Sequence, residues 1–384
     1  MANDNFGSND DSFQGIDVGA IEKKLAGMWR DSEPPREPRD KQAPAITRAC
    51  VLNLIIIASA SEDCDAVSSL LDKVSTEHPG RAFLVLTDRK SDVARLESKA
   101  SIRCRQVSST RREICGEQIT LVAEGLAVET SPSAIAPLLV PDVPVFLWWK
   151  EAPDFDDHLW NNLIPLCDRV IVDSASFARP LDDLRAMTSY LALAESQIKL
   201  TDLNWSRLSS WRTLIASFWD NPVYLDHLQH LKQVSIGFCP ANGDTGRYAV
   251  KPLLLTGWLA SRLGWKCNSS SVSNDLTIFE MQADGREITV NIRPTEYEPH
   301  CSGLVTSIAF STEGELAGFD VFLSREGNRL STEVRIGGVV TAGRTLTYEP
   351  KDLSRRLSSE LSFFTRDAVF EESLAVTAEI LKSA

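Results

Sequence analysis

Hydrophobic and polar positions change period along this chain, and the changes divide it. From Ile46, short apolar runs alternate with helical stripes. Thr47–Ala58 predicts a strand. Asp63–Glu77 predicts a helix with Val67, Leu70, Leu71 and Val74 on its inner face, and Ala82–Thr87 is again a strand. This β-α-β order with short connections predicts a mostly parallel sheet. Strands at Ile102–Ser108 and Ile114–Glu124 and a helix at Ser133–Leu139 come next. Val140–Lys150 then reads as a short buried strand closed by two tryptophans. Neighbouring side chains of a strand point to opposite faces, so Trp148 and Trp149 cannot share one core. Either helices cover both faces of the sheet, or one Trp and Lys150 lie at a binding edge. A helix at Phe155–Leu166 and the strand Arg169–Asp173 complete the unit.

The remaining segments follow different patterns. Residues 1–45 read as a mostly disordered tail, with Pro34, Pro35 and Pro38 in its second half. Within the tail, a helix near 17–30 carries Ile21, Leu25, Met28 and Trp29 on one stripe, which must dock on its own chain or on a partner. Residues 46–180 form the expected Rossmann-like α/β domain. A helical connector spans 181–230, with Trp211, Leu214, Ile215 and Phe218 on one face. From 231 to 384, strands follow one another from Leu276 to Tyr348, with turns at Ala283-Asp284-Gly285 and Glu326-Gly327-Asn328. They predict an α+β domain whose antiparallel sheet is covered by helices.

A length of 384 residues makes two domains the natural expectation, and 43% hydrophobic with 24% charged residues is the composition of a globular chain. The net charge of −13 argues against nucleic acid as a partner. No signal peptide and no apolar run long enough to cross a membrane is visible, so a cytoplasmic protein is expected. The 8 cysteines include no C-x-x-C pair, which excludes a zinc ribbon.

Reaction chemistry is hard to find. Where a dinucleotide-binding turn would place its glycines, the chain reads Ala58-Ser59-Ala60-Ser61-Glu62-Asp63, so no cofactor is expected. P-loop, G-x-S-x-G and H-E-x-x-H strings are absent, and no catalytic residue or metal is assigned. His227 and His230 lie one turn apart on a helix without a third ligand fixed by the sequence. The turn Gly243–Gly246 with Arg247 could cradle an anion, which leaves open a sugar-phosphate-binding enzyme or metabolite sensor. A basic stretch holding Arg103, Arg105, Arg111 and Arg112 stands out in an acidic chain, either as a solvated face or as a steering surface for an acidic partner. Should residues 102–118 form a hairpin, Cys104 and Cys115 would face each other, as two inert thiols or as a disulfide.

Several strings, taken in order, carry a resemblance: Arg48–Leu54, His78–Ala82, Val140–Lys150, Asp168–Ser174, Leu203–Arg207 and Gly257–Trp265. Together they resemble the glucose-6-phosphate dehydrogenase assembly protein (OpcA) family from about Val18 to Leu357. The resemblance implies a non-catalytic assembly factor and allosteric activator. Such a protein would bind glucose-6-phosphate dehydrogenase, favour its active oligomer in the oxidative pentose phosphate pathway, and be linked to thioredoxin. It departs from the family in having no cysteine after Cys301, so a redox switch sited there in relatives does not carry over. The contact residues expected are the four arginines, Trp148, Trp149, Lys150, and Ile21, Leu25 and Trp29 of the first helix.

Overall fold

A computed structural model of the chain describes residues 14–32, 45–62, 64–106, 112–193, 198–241, 250–273, 275–296, 298–315, 317–349 and 352–382. Two compact units emerge: residues 1–172 with 198–200 and 357–364, and residues 173–197 with 201–356 and 365–384.

The first unit is built on one sheet. Its elements are β1 (Gln14–Gly15), α1 (Val18–Ser32), β2 (Ala45–Arg48), β3 (Leu52–Ser59), α2 (Cys64–Val74), β4 (Gly80–Asp88), β5 (Arg95–Gln106), β6 (Arg112–Glu124), α3 (Ala127–Ile135), β7 (Val145–Trp149), α4 (His158–Leu163), β8 (Arg169–Val172) and the first residues of β9 (Lys199–Asp202). The strand order is β1-β5-β6-β4-β3-β7-β8-β9, with β2 on β6. Strands β6, β4, β3, β7 and β8 run parallel. The β-α-β reading therefore holds, and β3 is central because Leu54–Ile57 are apolar on both faces and buried. Strand β5 extends seven residues further toward its N-terminus than the apolar pattern suggests. It forms an antiparallel arm on β6 from Arg95↔Glu124 to Gln106↔Glu113, much of it polar, so hydrophobic periodicity does not mark its start.

The second unit comprises α5 (Pro180–Leu193), α6 (Leu203–Ser206), α7 (Ser209–Trp219), α8 (Pro222–Leu228), β10 (Leu231–Phe238), α9 (Val250–Leu263), β11 (Lys266–Ser273), β12 (Leu276–Ala283), β13 (Arg286–Pro294), β14 (Val305–Thr312), β15 (Ala317–Leu323), β16 (Arg329–Ile336), β17 (Val339–Thr347), the start of α10 (Leu353–Leu361), and α11 (Ala368–Lys382). Its sheet has the order β11-β12-β13-β10-β14-β15-β16-β17. All its pairings are antiparallel except β10 on β13. Between β10 and β13 the chain passes through α9, β11 and β12, a connection long enough for the two strands to lie parallel. Along β12, β13, β14 and β16 the burial alternates, so one face holds the core and the other is open. Strand β11 has no such alternation and escapes a reading by pattern, because it is an exposed edge.

The helices expected as a separate connector fall in this second unit. Trp211, Leu214, Ile215 and Phe218 of α7 are buried as their spacing predicts, and the rings of Phe218 and Phe319 sit 5.5 Å apart. A stripe that wide is satisfied by the sheet beside it, which removes any independent linker.

Candidate functional site

In an open parallel sheet, ligands sit beyond the carboxyl ends of the strands at the point where the order reverses. Here that point lies between β3 and β7. After Ser59 the backbone turns with Ser59 Oγ and Ser61 Oγ 2.9 Å apart. Glu62 then meets Lys150, which leaves the end of β7, in an ion pair across the switch point. One strand away, Arg89 beyond β4 pairs with Asp157, the residue whose side chain also caps α4 by accepting from Leu159 N. Trp149, Trp160 and Phe155 fill the space below with ring centroids 5.2 and 5.1 Å apart. The chain's own charges and rings thus occupy the place where a pyrophosphate would need glycine amides.

This settles the two tryptophans. Trp148 is 1% exposed and Trp149 5%, one on each face of β7, so both are buried within the chain and offer no binding edge. Lys150 keeps a partial outlook, with its Nζ 5.3 Å from the Trp148 ring. Both rings are buried because parallel strands of this kind are covered on both faces.

The opposite, amino-terminal edge carries the basic residues. Arg103 on β5 reaches both carboxylate oxygens of Asp72 on α2 at 3.1 Å. Beneath it, buried Arg81 donates from Nε to Glu117 at 2.6 Å and from Nη1 to Glu22 at 2.5 Å and the Leu138 carbonyl at 2.6 Å. Burial opposes its charge, but the two carboxylates outweigh that and its pKa is raised. Trp29 Nε1 donates to the other oxygen of Glu117 at 2.5 Å. Ile21 and Leu25 are 6% and 1% exposed. The stripe of α1 is therefore docked on its own unit through Glu22, Trp29 and these two apolar residues, which are not free for a partner. Arg111 lies outside the described residues, as do the side chains of Arg105 and Arg112.

Cys104 and Cys115 stand opposite each other in the β5–β6 register and form a disulfide with Cα atoms 4.1 Å apart. That spacing suits the close, non-hydrogen-bonded type of cross-strand pair. Cys104 is exposed and Cys115 fully buried. A cavity of about 360 Å³ lined by Ser69, Asp72, Lys73, Ser75, Arg103 and Cys104 opens beside the bond. By contrast, Cys167 is pushed up to about 12 by burial and by Asp168, and burial raises Cys50, so the surroundings of these two thiols disfavour the thiolate.

The second unit contains a polar cluster that sequence reasoning missed. Asp202 Oδ1 accepts from the backbone amides of Ser174 and Asn204, both at 2.9 Å, and Oδ2 accepts from Ser174 Oγ at 2.6 Å. Asn204 Nδ2 donates to Ser174 Oγ at 3.1 Å. Next to it Asp173 holds Arg207 through two parallel bonds of 2.6 and 2.7 Å. Burial, followed by repulsion from Asp173, raises the Asp202 carboxyl to about 6, while its hydrogen bonds pull the other way. The signal was present, since Asp173-Ser174 and Asp202–Arg207 fall within or beside two of the strings noted above. Only the fold joins them. The Gly243–Gly246 turn and Arg247 lie outside the described residues.

Residues 71–189 match the sequence model of the glucose-6-phosphate dehydrogenase subunit N-terminal domain, and residues 198–374 that of the C-terminal domain. The chain belongs to the OpcA family. A Nostoc punctiforme protein described as "Putative OxPP cycle protein OpcA" is 31% identical over 82% of this chain and 68% of its own length. A Synechocystis relative with the same description is 26% identical over 82% and 66%. The chain thus spans about two thirds of these OpcA relatives. Among solved structures, it is similar to levoglucosan dehydrogenase in complex with NADH, with TM-score 0.48 and 9% identity over 88% of this chain and 97% of that one. It is also similar to the aldose-aldose oxidoreductase of Caulobacter crescentus, with TM-score 0.46 and 11% identity over 88% and 98%. No described helix is long and apolar enough to cross a membrane.

Proposed function

We propose that this OpcA-family chain is a non-catalytic assembly factor and allosteric activator that binds glucose-6-phosphate dehydrogenase and favours its active oligomer. The observation that carries the proposal is the match of both halves of the chain to domains described as subunits of that dehydrogenase. The first unit supports it, because the edge where a Rossmann domain binds its nucleotide is held by Glu62–Lys150 and Arg89–Asp157. Activation then requires tighter binding to the active dehydrogenase than to the inactive one. Steering charges are proposed on the β5–β6 arm, at Arg103 and the neighbouring Arg105, Arg111 and Arg112. The Cys104–Cys115 bond on the same arm is proposed as its redox control, with thioredoxin as the reductant, in a cytoplasmic protein. Thiolate attack needs access to one sulfur, and the exposed Cys104 beside its cavity provides it.

The test is co-elution of the purified chain with a glucose-6-phosphate dehydrogenase, followed by glucose-6-phosphate saturation curves with and without it. Complex formation with a lowered half-saturation is expected. Independent migration with unchanged kinetics, or turnover of sugar phosphate by the chain alone, overturns the proposal.

A further inference from the structure

The loop between β13 and β14 gathers three different metal-binding side chains that none of the preceding roles uses. Glu298, His300 and Cys301 bring a carboxylate oxygen, a ring nitrogen and a thiol to within 4.8 Å of one another. The Glu298 carboxylate and His300 Nε2 are 3.1 Å apart. Around a tetrahedral zinc with bonds of about 2.0–2.3 Å, neighbouring donor atoms are separated by roughly 3.3–3.7 Å, so small movements suffice. We propose that Glu298, His300 and Cys301 form a binding site for a zinc-type divalent cation.

The chemistry of the set favours that class. A thiolate and an imidazole select a borderline-soft ion, and one carboxylate lowers the charge without converting the site to an oxygen cage for calcium or magnesium. Geometry holds the donors in place. Cys301 N donates to the Glu298 carbonyl at 2.9 Å, closing a tight turn. Glu298 N in turn donates to Sγ of buried Cys239, at the end of β10, at 3.4 Å. The base of the turn is thus anchored to the central strand of the sheet, while Glu298 and His300 remain about half exposed and open to an incoming ion. His300 Nε2 also contacts the Arg325 carbonyl on the neighbouring β15–β16 turn. A cation bound there would take the place of a proton on these donors, since metal ligands bind deprotonated. A cavity of about 200 Å³, lined by Thr295, Glu298, Cys301, Thr306, Ser324 and Arg325 among others, borders two of the three donors. It leaves room for a fourth ligand, as in sites with three protein ligands and one open position.

The experiment uses the full chain without the dehydrogenase, treated with chelator under reducing conditions and then titrated with zinc and, separately, cobalt(II). One zinc per chain after dialysis is expected, with a sulfur-to-cobalt charge-transfer band in the cobalt form. Cys301→Ser should abolish that band. His300→Ala, an exposed substitution that leaves the core intact, should weaken zinc binding by more than about 100-fold, beyond the loss typical of an outer-shell partner. Failure of the unsubstituted chain to retain zinc overturns the site, as does a cobalt band that survives Cys301→Ser or an affinity indifferent to His300→Ala.

Discussion

Replacing Gly257 by Ala sets two effects of opposite sign against each other. Gly257 sits inside α9, where Ala is the better helix former by about 1 kcal/mol, so propensity alone predicts stabilisation. The packing predicts the reverse. An added Cβ would lie 2.0 Å from Thr377 Oγ1 and 2.5 Å from the Ser373 carbonyl oxygen on α11. Ordinary contact begins near 3.4 Å, so the overlaps are about 1.4 and 0.9 Å, and the second involves backbone. Thr377 has no easy escape. It is fully buried, and its hydroxyl already donates to Ser373 O at 2.7 Å. The two helices must separate, and overpacking of this kind costs about 1–3 kcal/mol. Because one overlap is with backbone, the upper end of that cost applies, and after the gain of about 1 kcal/mol in propensity the second unit should be destabilised by roughly 2 kcal/mol, read as a lower midpoint in urea followed by far-ultraviolet circular dichroism. Adding Thr377→Ala should restore part of the loss, because it removes the shorter of the two contacts. A Gly257→Ala chain as stable as the parent, or more stable, would show that α9 and α11 do not approach this closely.

Four further outcomes are expected. Asp202→Asn should flatten the dependence of stability on pH. A carboxyl raised from 3.8 to about 6 in the folded state favours folding when protonated, and that contribution, roughly 3 kcal/mol, is lost as pH rises from 4 to 6. An undiminished slope over that window in urea midpoints would remove Asp202 as its source. Arg81→Met leaves Glu117, 6% exposed, without its main counter-charge and should cost about 3–5 kcal/mol, measured by thermal or urea unfolding; an effect below 1 kcal/mol refutes the account. NADP titrated into the chain should leave tryptophan fluorescence unchanged, since Glu62 and Lys150 hold the switch point, and saturable quenching would contradict this. Reversing Arg103, Arg105, Arg111 and Arg112 to Glu should weaken activation of the dehydrogenase most at low salt; full activation would exclude the arm from the interface.

What the sequence decided by itself was local. Apolar runs without interruption gave the central strands β3, β7 and β8, and a missing glycine after Ser59 already argued against a nucleotide turn. Spacing set Cys104 against Cys115 only on condition of a hairpin, and the β5–β6 register supplies it. The edges were poorly legible: the pattern misses β11 and marks only the end of β17, because both are solvated and a strand that buries nothing leaves no alternation to read. Tertiary structure alone decided the fate of the tryptophan pair, since one sequence fits both a covered sheet and an exposed rim. It also assembled Asp173, Ser174, Asp202 and Arg207, which no spacing relates. Charges separated by many residues meet only where strands and helices end together, and pairwise sequence patterns carry no record of that closure.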